Sequence, residues 1–425
     1  MRSCCHFLWS ALLLLGVLSS CKERKSPVAT MSNLKKEVTA KEILGNPAYQ
    51  AISYGGYRGT SRDEQPTIEE LKEDMRLLFA MGIRIVRTYN VQLPHAANIL
   101  KAIAELKNED ADFEMYVMLG AWIDCKDAWT ASPNHEEESE QNVGEIERVV
   151  ALANNYKDIV KIIAVGNEAM VKWAASYYVQ PNVILKWVNH LQDLKKKGEL
   201  PKEVWITSSD NFASWGGGGE EYRVEDLNKL ISAVDYVSMH TYPMHDTHYN
   251  PDFWVVAKDE VVGTDLEKID AAMLRAKKYA ISQYQSVQQY MKSLGIDKPI
   301  HIGETGWATK SKGFYGLNGS QATDEYKEAL YYNHMREWTN KNGISCFYFE
   351  AFDEQWKDAA NPNGSENHFG LFTIDGKAKY ALWELVDDKK FKGLLRGNNP
   401  ISKTYEGDLD ALLNDVNTPP IKAIH

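Results

Sequence analysis

Two glutamates stand out by position. One follows the run Ile162-Ile163-Ala164-Val165-Gly166-Asn167 and is Glu168; the other follows Ile300-His301-Ile302-Gly303 and is Glu304. In both, an apolar strand-like segment gives way to a small residue and then to an acid. A lone carboxylate buried there is costly, so it is either paired or used. For one such glutamate an ion pair is as good an account as function; two at equivalent places shift the balance. Cleavage of a glycosidic bond needs two carboxyls. One protonates the leaving oxygen, and the other attacks the anomeric carbon or activates water. Carboxyls ~5–5.5 Å apart give retention and ~6.5–9.5 Å inversion, and the sequence leaves both open.

Such a pair needs a scaffold that brings distant strand ends together. Short β-rich apolar runs are expected at 51–54, 83–89, 115–121, 160–165, 204–208, 234–240, 300–303 and 346–352. Each is nearly continuous in apolar character, as parallel strands covered on both faces require. Helical patterns separate them. The clearest starts after Thr67, where Glu70 completes a capping box and Leu71, Met75 and Leu78 share one face. Others are expected at 95–107, 143–154, 182–196, 224–231, 266–291, 323–340 and 378–386. This alternation predicts an α/β chain closed into a (β/α)8 TIM barrel with a single catalytic domain, an open sheet being the alternative. The long polar or glycine-rich stretches 124–141, 210–222, 244–265 and 353–368 follow strands, where barrel active sites sit.

Composition narrows the partners. The chain has 425 residues, 44% hydrophobic and 25% charged, with net charge −11. That charge argues against nucleic acid as the main partner. Trp 12 and Tyr 22 are numerous enough to supply stacking faces for sugars besides packing the core. No zinc-ligand spacing and no phosphate loop is present, so neither a metal nor a cofactor is expected, and the chain is expected to be a monomer. The N-terminus reads as a targeting segment: an apolar run over 7–18 is followed by Leu18-Ser19-Ser20-Cys21. This resembles a bacterial lipoprotein signal, with Cys21 as the lipidated residue and the cell envelope (outer membrane or cell surface) as the destination; a plain signal peptide is the alternative. The expected organisation is a signal over 1–20, a flexible tether over 21–45, the barrel over 46–392 and a peripheral tail over 393–425. Cys125 and Cys346 are expected to be buried thiols.

Four segments carry a more specific resemblance: Val165-Gly166-Asn167-Glu168, Gly303-Glu304-Thr305-Gly306-Trp307, Phe352-Asp353-Glu354-Gln355-Trp356-Lys357 and His368-Phe369-Gly370-Leu371-Phe372. In this order, on expected strand ends, they resemble glycoside hydrolase family 17 over roughly residues 50–390. That family comprises retaining β-1,3- and β-1,3-1,4-glucan hydrolases and some transferases on (β/α)8 barrels. The resemblance implies that Glu168 is the acid/base, Glu304 the nucleophile, and Asn167 the partner of the reacting sugar's 2-hydroxyl. It implies supporting roles for Glu354 and Lys357 near the acid/base, a tyrosine donor to the nucleophile in Tyr242, and a cleft lined by Trp307 and Phe352. Tyr54 and Asn90 are expected at the same mouth, with Trp122, Trp215 and His368 as further candidates. Endo-hydrolysis of a laminarin-like β-1,3-glucan follows. A transglycosylase using the same residues and a non-catalytic glycan-binding lipoprotein are the rivals. Glu350 departs from the family pattern and is open between an ion pair and a site residue. The Gly216–Gly219 run is open between a mobile loop and a close backbone approach.

Overall fold

The computed structural model describes residues 38–421. Eight strands run β1 (Gln50–Ser53), β2 (Ile83–Arg87), β3 (Tyr116–Ala121), β4 (Val160–Asn167), β5 (Trp205–Asn211), β6 (Val237–His240), β7 (Ile300–Gly306) and β8 (Cys346–Phe349). Neighbours in sequence pair in parallel, and β8 pairs with β1 through Ala51 and Phe347, closing the barrel. The chain is a (β/α)8 TIM barrel.

The helices sit where apolar periodicity and capping residues dictate. The first, α1 (Ala40–Ile43), begins at a Thr39–Glu42 capping box. Next, α2 (Ile68–Ala80) starts at the Thr67–Glu70 box and buries Leu71, Met75 and Leu78. Further round come α3 (Pro94–Glu109), α4 (Gln141–Asn155), α5 (Pro181–Lys197) and α6 (Glu225–Ala233), then the short α7 (Pro243–Tyr249) and the 29-residue α8 (Asp265–Ser293). The last are α9 (Glu325–Lys341), α10 (Trp383–Asp387) and α11 (Leu409–Asn414). Of the segment expected to be helical at 378–386, only its second half is an α-helix.

Two expected boundaries are corrected. The segment expected to be a tether to residue 45 ends earlier. Ala40, Ile43 and Leu44 are buried against Ile85, Tyr116, Ile162, Tyr236 and Phe347, side chains that point into the barrel. Four helical residues in a lysine- and glutamate-rich stretch carry too little periodicity to be read. The C-terminal stretch is not peripheral either. Arg396 is buried and donates from Nε to Asp74 of α2 (3.0 Å), and Val256 N–H donates to Pro420 O. The expected signal segment and Cys21 lie outside the described residues. Cys125 and Cys346 are buried free thiols.

Candidate active site

Glu304 sits in β7 with its side chain directed into the barrel mouth, 7% exposed. Its Oε2 accepts from Arg87 Nη1 (2.7 Å) and Tyr89 Oη (2.9 Å), and its Oε1 from Tyr242 Oη (2.5 Å). Arg87 closes β2 and is fully buried. It also donates to Gly303 O (2.7 Å) and, through Nη2, to Asn167 Oδ1 (2.5 Å). A guanidinium has only donors, so the oxygen of the Asn167 amide must face it and the amide nitrogen is left for another partner. Burial pushes the Glu304 carboxyl up. His240, the Arg87 guanidinium and the hydroxyls of Tyr242 and Tyr89 outweigh that, and the net direction is below the ordinary 4.5.

Glu168 leaves the end of β4 with φ of 46°, a left-handed conformation that a side chain of this size rarely adopts. Gly166 at φ 81° makes the approach possible; a Cβ there would lie 2.9 Å from that of Ala169. The turn is held by Glu168 N–H donating to Ser209 O (3.0 Å) and Met170 N–H donating to Asp210 Oδ2 (2.7 Å). Burial pushes the Asp210 carboxyl up to about 7, against the opposing Met170 N–H. Glu168 Oε1 lies 3.0 Å from His240 Nδ1, and His240 Nε2 lies 2.8 Å from Ser209 Oγ. The glutamate side chain is 26% exposed, more open than Glu304.

Two cavities meet at Glu304, Phe349 and Glu366. The smaller, about 700 Å³, is lined by Asn90, Trp122, Trp129, Asn167, Glu354 and Lys357 among others. The larger, about 790 Å³, is lined by Glu168, Trp173, Tyr242, His245, Tyr249 and Phe369 among others. Glu168 therefore faces one side of Glu304 and Asn167 the other.

Several expected residues are placed differently. Trp307 is fully buried, donates from Nε1 to Ala322 O and packs on Trp254 and Tyr331. It lies three residues beyond the inward-facing Glu304, so strand alternation turns it outward. Phe352 is buried against Phe372 and Tyr54; β8 ends at Phe349, three residues before the expected end, and Phe349 is the aromatic at the mouth. Trp215 is buried with Nε1 donating to Ser238 O, so it anchors its loop. The glycine run beside it is a close approach: a Cβ on Gly216 would lie 2.1 Å from the Tyr290 ring of α8. Tyr54 backs the smaller cavity, but its hydroxyl is committed to Asp74 (2.9 Å). His368 sits 2.9 Å from Pro362 O and 3.6 Å from Asp353 and lines neither cavity. Glu354 accepts from Tyr57 N–H and Trp356 Nε1, and Lys357 pairs with Glu350; both line the smaller cavity, on the side away from Glu168. Glu350 is thus an inward ion-pair partner.

Arg87, Tyr89, His240, Asp210, Phe349 and Trp129 were not anticipated. A buried arginine closing an apolar strand was the available signal for Arg87. His240 sat in plain view two residues before Tyr242, yet only the closed barrel shows that it meets Glu168.

A family model, the BtgE/BtgC glycoside hydrolase domain, matches residues 51–370. Among solved structures, an endo-laminarinase from Formosa Hel1_33_131 is 71% identical with a TM-score of 0.90, over 91% of this chain and 99% of that one. A glycoside hydrolase family 17 β-1,3-glucanosyltransferase from Rhizomucor miehei shares the fold, with 19% identity and a TM-score of 0.54 over 79% of this chain and 96% of that one. Among curated proteins, a glucan 1,3-beta-glucosidase of Arthroderma benhamiae is 25% identical over 328 residues, 76% of this chain and 86% of that protein.

Proposed function

The chain belongs to the BtgE/BtgC glycoside hydrolase domain family and is a glycoside hydrolase, and on that premise we propose that it is an endo-acting β-1,3-glucanase that retains anomeric configuration, with Glu304 as nucleophile and Glu168 as acid/base. The observation that carries the reading is the unequal setting of the two carboxyls. Glu304 is buried, ionised below the usual carboxylate range and oriented by three donors. Its Oε2 is saturated by two of them, whereas Oε1 has one and keeps a lone pair for attack. Glu168 is more open and faces the neighbouring cavity, as a group that exchanges protons with a leaving sugar and then with water must.

In the first step Glu304 Oε1 attacks the anomeric carbon, the glycosidic bond breaks, and the Glu168 proton goes to the departing oxygen. In the second, Glu168 takes a proton from water, whose oxygen displaces Glu304. The Arg87 bridge orients both Glu304 and Asn167, so the free Asn167 amide nitrogen can meet the 2-hydroxyl as the attack proceeds. The laminarin-like substrate is supported by the 71% identical endo-laminarinase, and the endo mode by cavities on both sides of Glu304. The N-terminal segment supports export and a lipid at Cys21, which holds the enzyme at the cell envelope; the loss of labelled fatty acid on Cys21→Ser would bear this out.

The test is a digest of linear β-1,3-glucan by the wild type and by Glu304→Ala, with products resolved by size and the first-formed anomer read by NMR. A ladder of β-configured oligosaccharides from the wild type alone is expected. An α-anomer sinks retention, and an absence of products sinks the substrate. Oligosaccharides longer than the starting material would make transfer, rather than hydrolysis, the reaction.

A further inference from the structure

Trp129 is a large apolar side chain held in the open. Its indole is 62% exposed, yet its backbone is clamped: N–H donates to Ser176 O (2.8 Å), and Cys125 N–H donates to Tyr177 O (3.1 Å). The chain between these ties passes through two left-handed non-glycine residues, Asp127 at φ 56° and Trp129 itself at φ 65°. Strain of this kind persists where the surroundings over-determine it. What it achieves is an array of three rings. Trp129 stacks on Tyr177 (centroids 4.9 Å, 23°) and beside Trp122 (6.3 Å, 28°), while Trp122 and Tyr177 lie 5.1 Å apart.

Trp122 and Trp129 line the smaller cavity, with Asp124, Asp127 and Gln141 beside them, and Tyr177 packs on both rings. Flat rings flanked by hydrogen-bonding groups match a pyranose, which offers C–H faces and a belt of hydroxyls. Polarity follows from the two catalytic carboxyls, so it rests on the function proposed above. The acid must reach the leaving oxygen, and Glu168 lines the larger cavity; the leaving sugar lies there. The smaller cavity, with Asn167, then takes the sugars on the non-reducing side of the cut.

We propose that Trp129 and Trp122, supported by Tyr177, form a distal non-reducing-side subsite that stacks a glucosyl unit of a β-1,3-linked chain and makes efficient cleavage depend on chain length. The wild type, Trp129→Ala and Trp129→Phe are compared on reducing-end-labelled β-1,3-gluco-oligosaccharides from the trisaccharide to the octasaccharide. Wild-type kcat/KM should rise with length. Trp129→Ala should flatten that rise, with a loss of roughly ten-fold on the octasaccharide and little on the trisaccharide. Trp129→Phe should recover most of it, and unchanged melting should accompany both. Octasaccharide affinity in the Glu304→Ala background should weaken to a similar degree when Trp129→Ala is added. A wild-type length profile kept intact by Trp129→Ala overturns the subsite alone. A wild type that neither cleaves nor binds these chains overturns the functional reading and the subsite with it.

Discussion

The two ends of the barrel are built from the same eight strands and are chemically opposite. At the bottom, Ala40, Ile43 and Leu44 plug the interior against Ile85, Tyr116, Ile162 and Phe347, with apolar contact dominating. At the mouth, the same strands present Arg87, Asn167, Asp210, His240 and Glu304, each paired with another of them, with the backbone or, for His240, with Glu168 and Ser209. One end gains stability from close packing and removal of apolar surface from water. The other holds charges out of water, an arrangement that breaks badly when one partner is removed. Stability and reactivity are thereby separated along a single axis, and substitutions at the two ends should fail differently.

The largest effect is expected from Glu304→Ala: a loss of kcat/KM of at least about 10⁴-fold on β-1,3-glucan, with a destabilisation of about 3 kcal/mol because the buried Arg87 guanidinium loses its carboxylate. Activity retained within tenfold would remove Glu304 from the chemistry. Arg87→Met should cost both quantities, because it strands Glu304 and Asn167 together. A fall in kcat of roughly 10²–10³-fold with a destabilisation of about 3 kcal/mol is expected, read by kinetics and urea unfolding. Ile43→Ala should cost stability alone, about 3 kcal/mol, with kcat unchanged. An equal fall in kcat would show that the plug reaches the mouth. The smallest effect concerns pH. Glu304 is held below 4.5 in part by the Tyr242 hydroxyl, so it stays ionised where an ordinary carboxyl has begun to protonate. Tyr242→Phe removes a donor to the ionised form, raises the Glu304 pKa and should move the acidic limb of kcat/KM to higher pH, with a loss of about tenfold. A stationary limb would assign it to another group.

Much of the barrel was legible because buried parallel strands are short, continuous apolar runs, and all eight lie where the sequence places them. The two glutamates were legible for the same reason: they end such runs. What was hidden depended on where a strand stops and which way it alternates. Phe352 and Trp307 are misplaced by that alone, since a strand end three residues early or a change of parity moves an aromatic from the cleft to the core. Contacts between strands were hidden too. Nothing in the spacing tells that Arg87 spans to residues 80 and 217 positions away in the chain. The left-handed backbone of Glu168 has no sequence signal beyond the glycine two residues before it.

The bond between Arg396 and Asp74 joins residues 322 positions apart, and the chain is further fastened where Pro420 meets Val256. Asp74 in turn holds Tyr54, which backs the smaller cavity. It follows that a chain that stops short of Arg396 leaves a buried carboxylate short of a partner and the mouth wall unsupported. Contacts this distant in sequence form late, after the loops between them have closed. The final lock on the mouth is therefore made by a segment that follows all eight strands in the chain, and the barrel is complete only when that segment is in place.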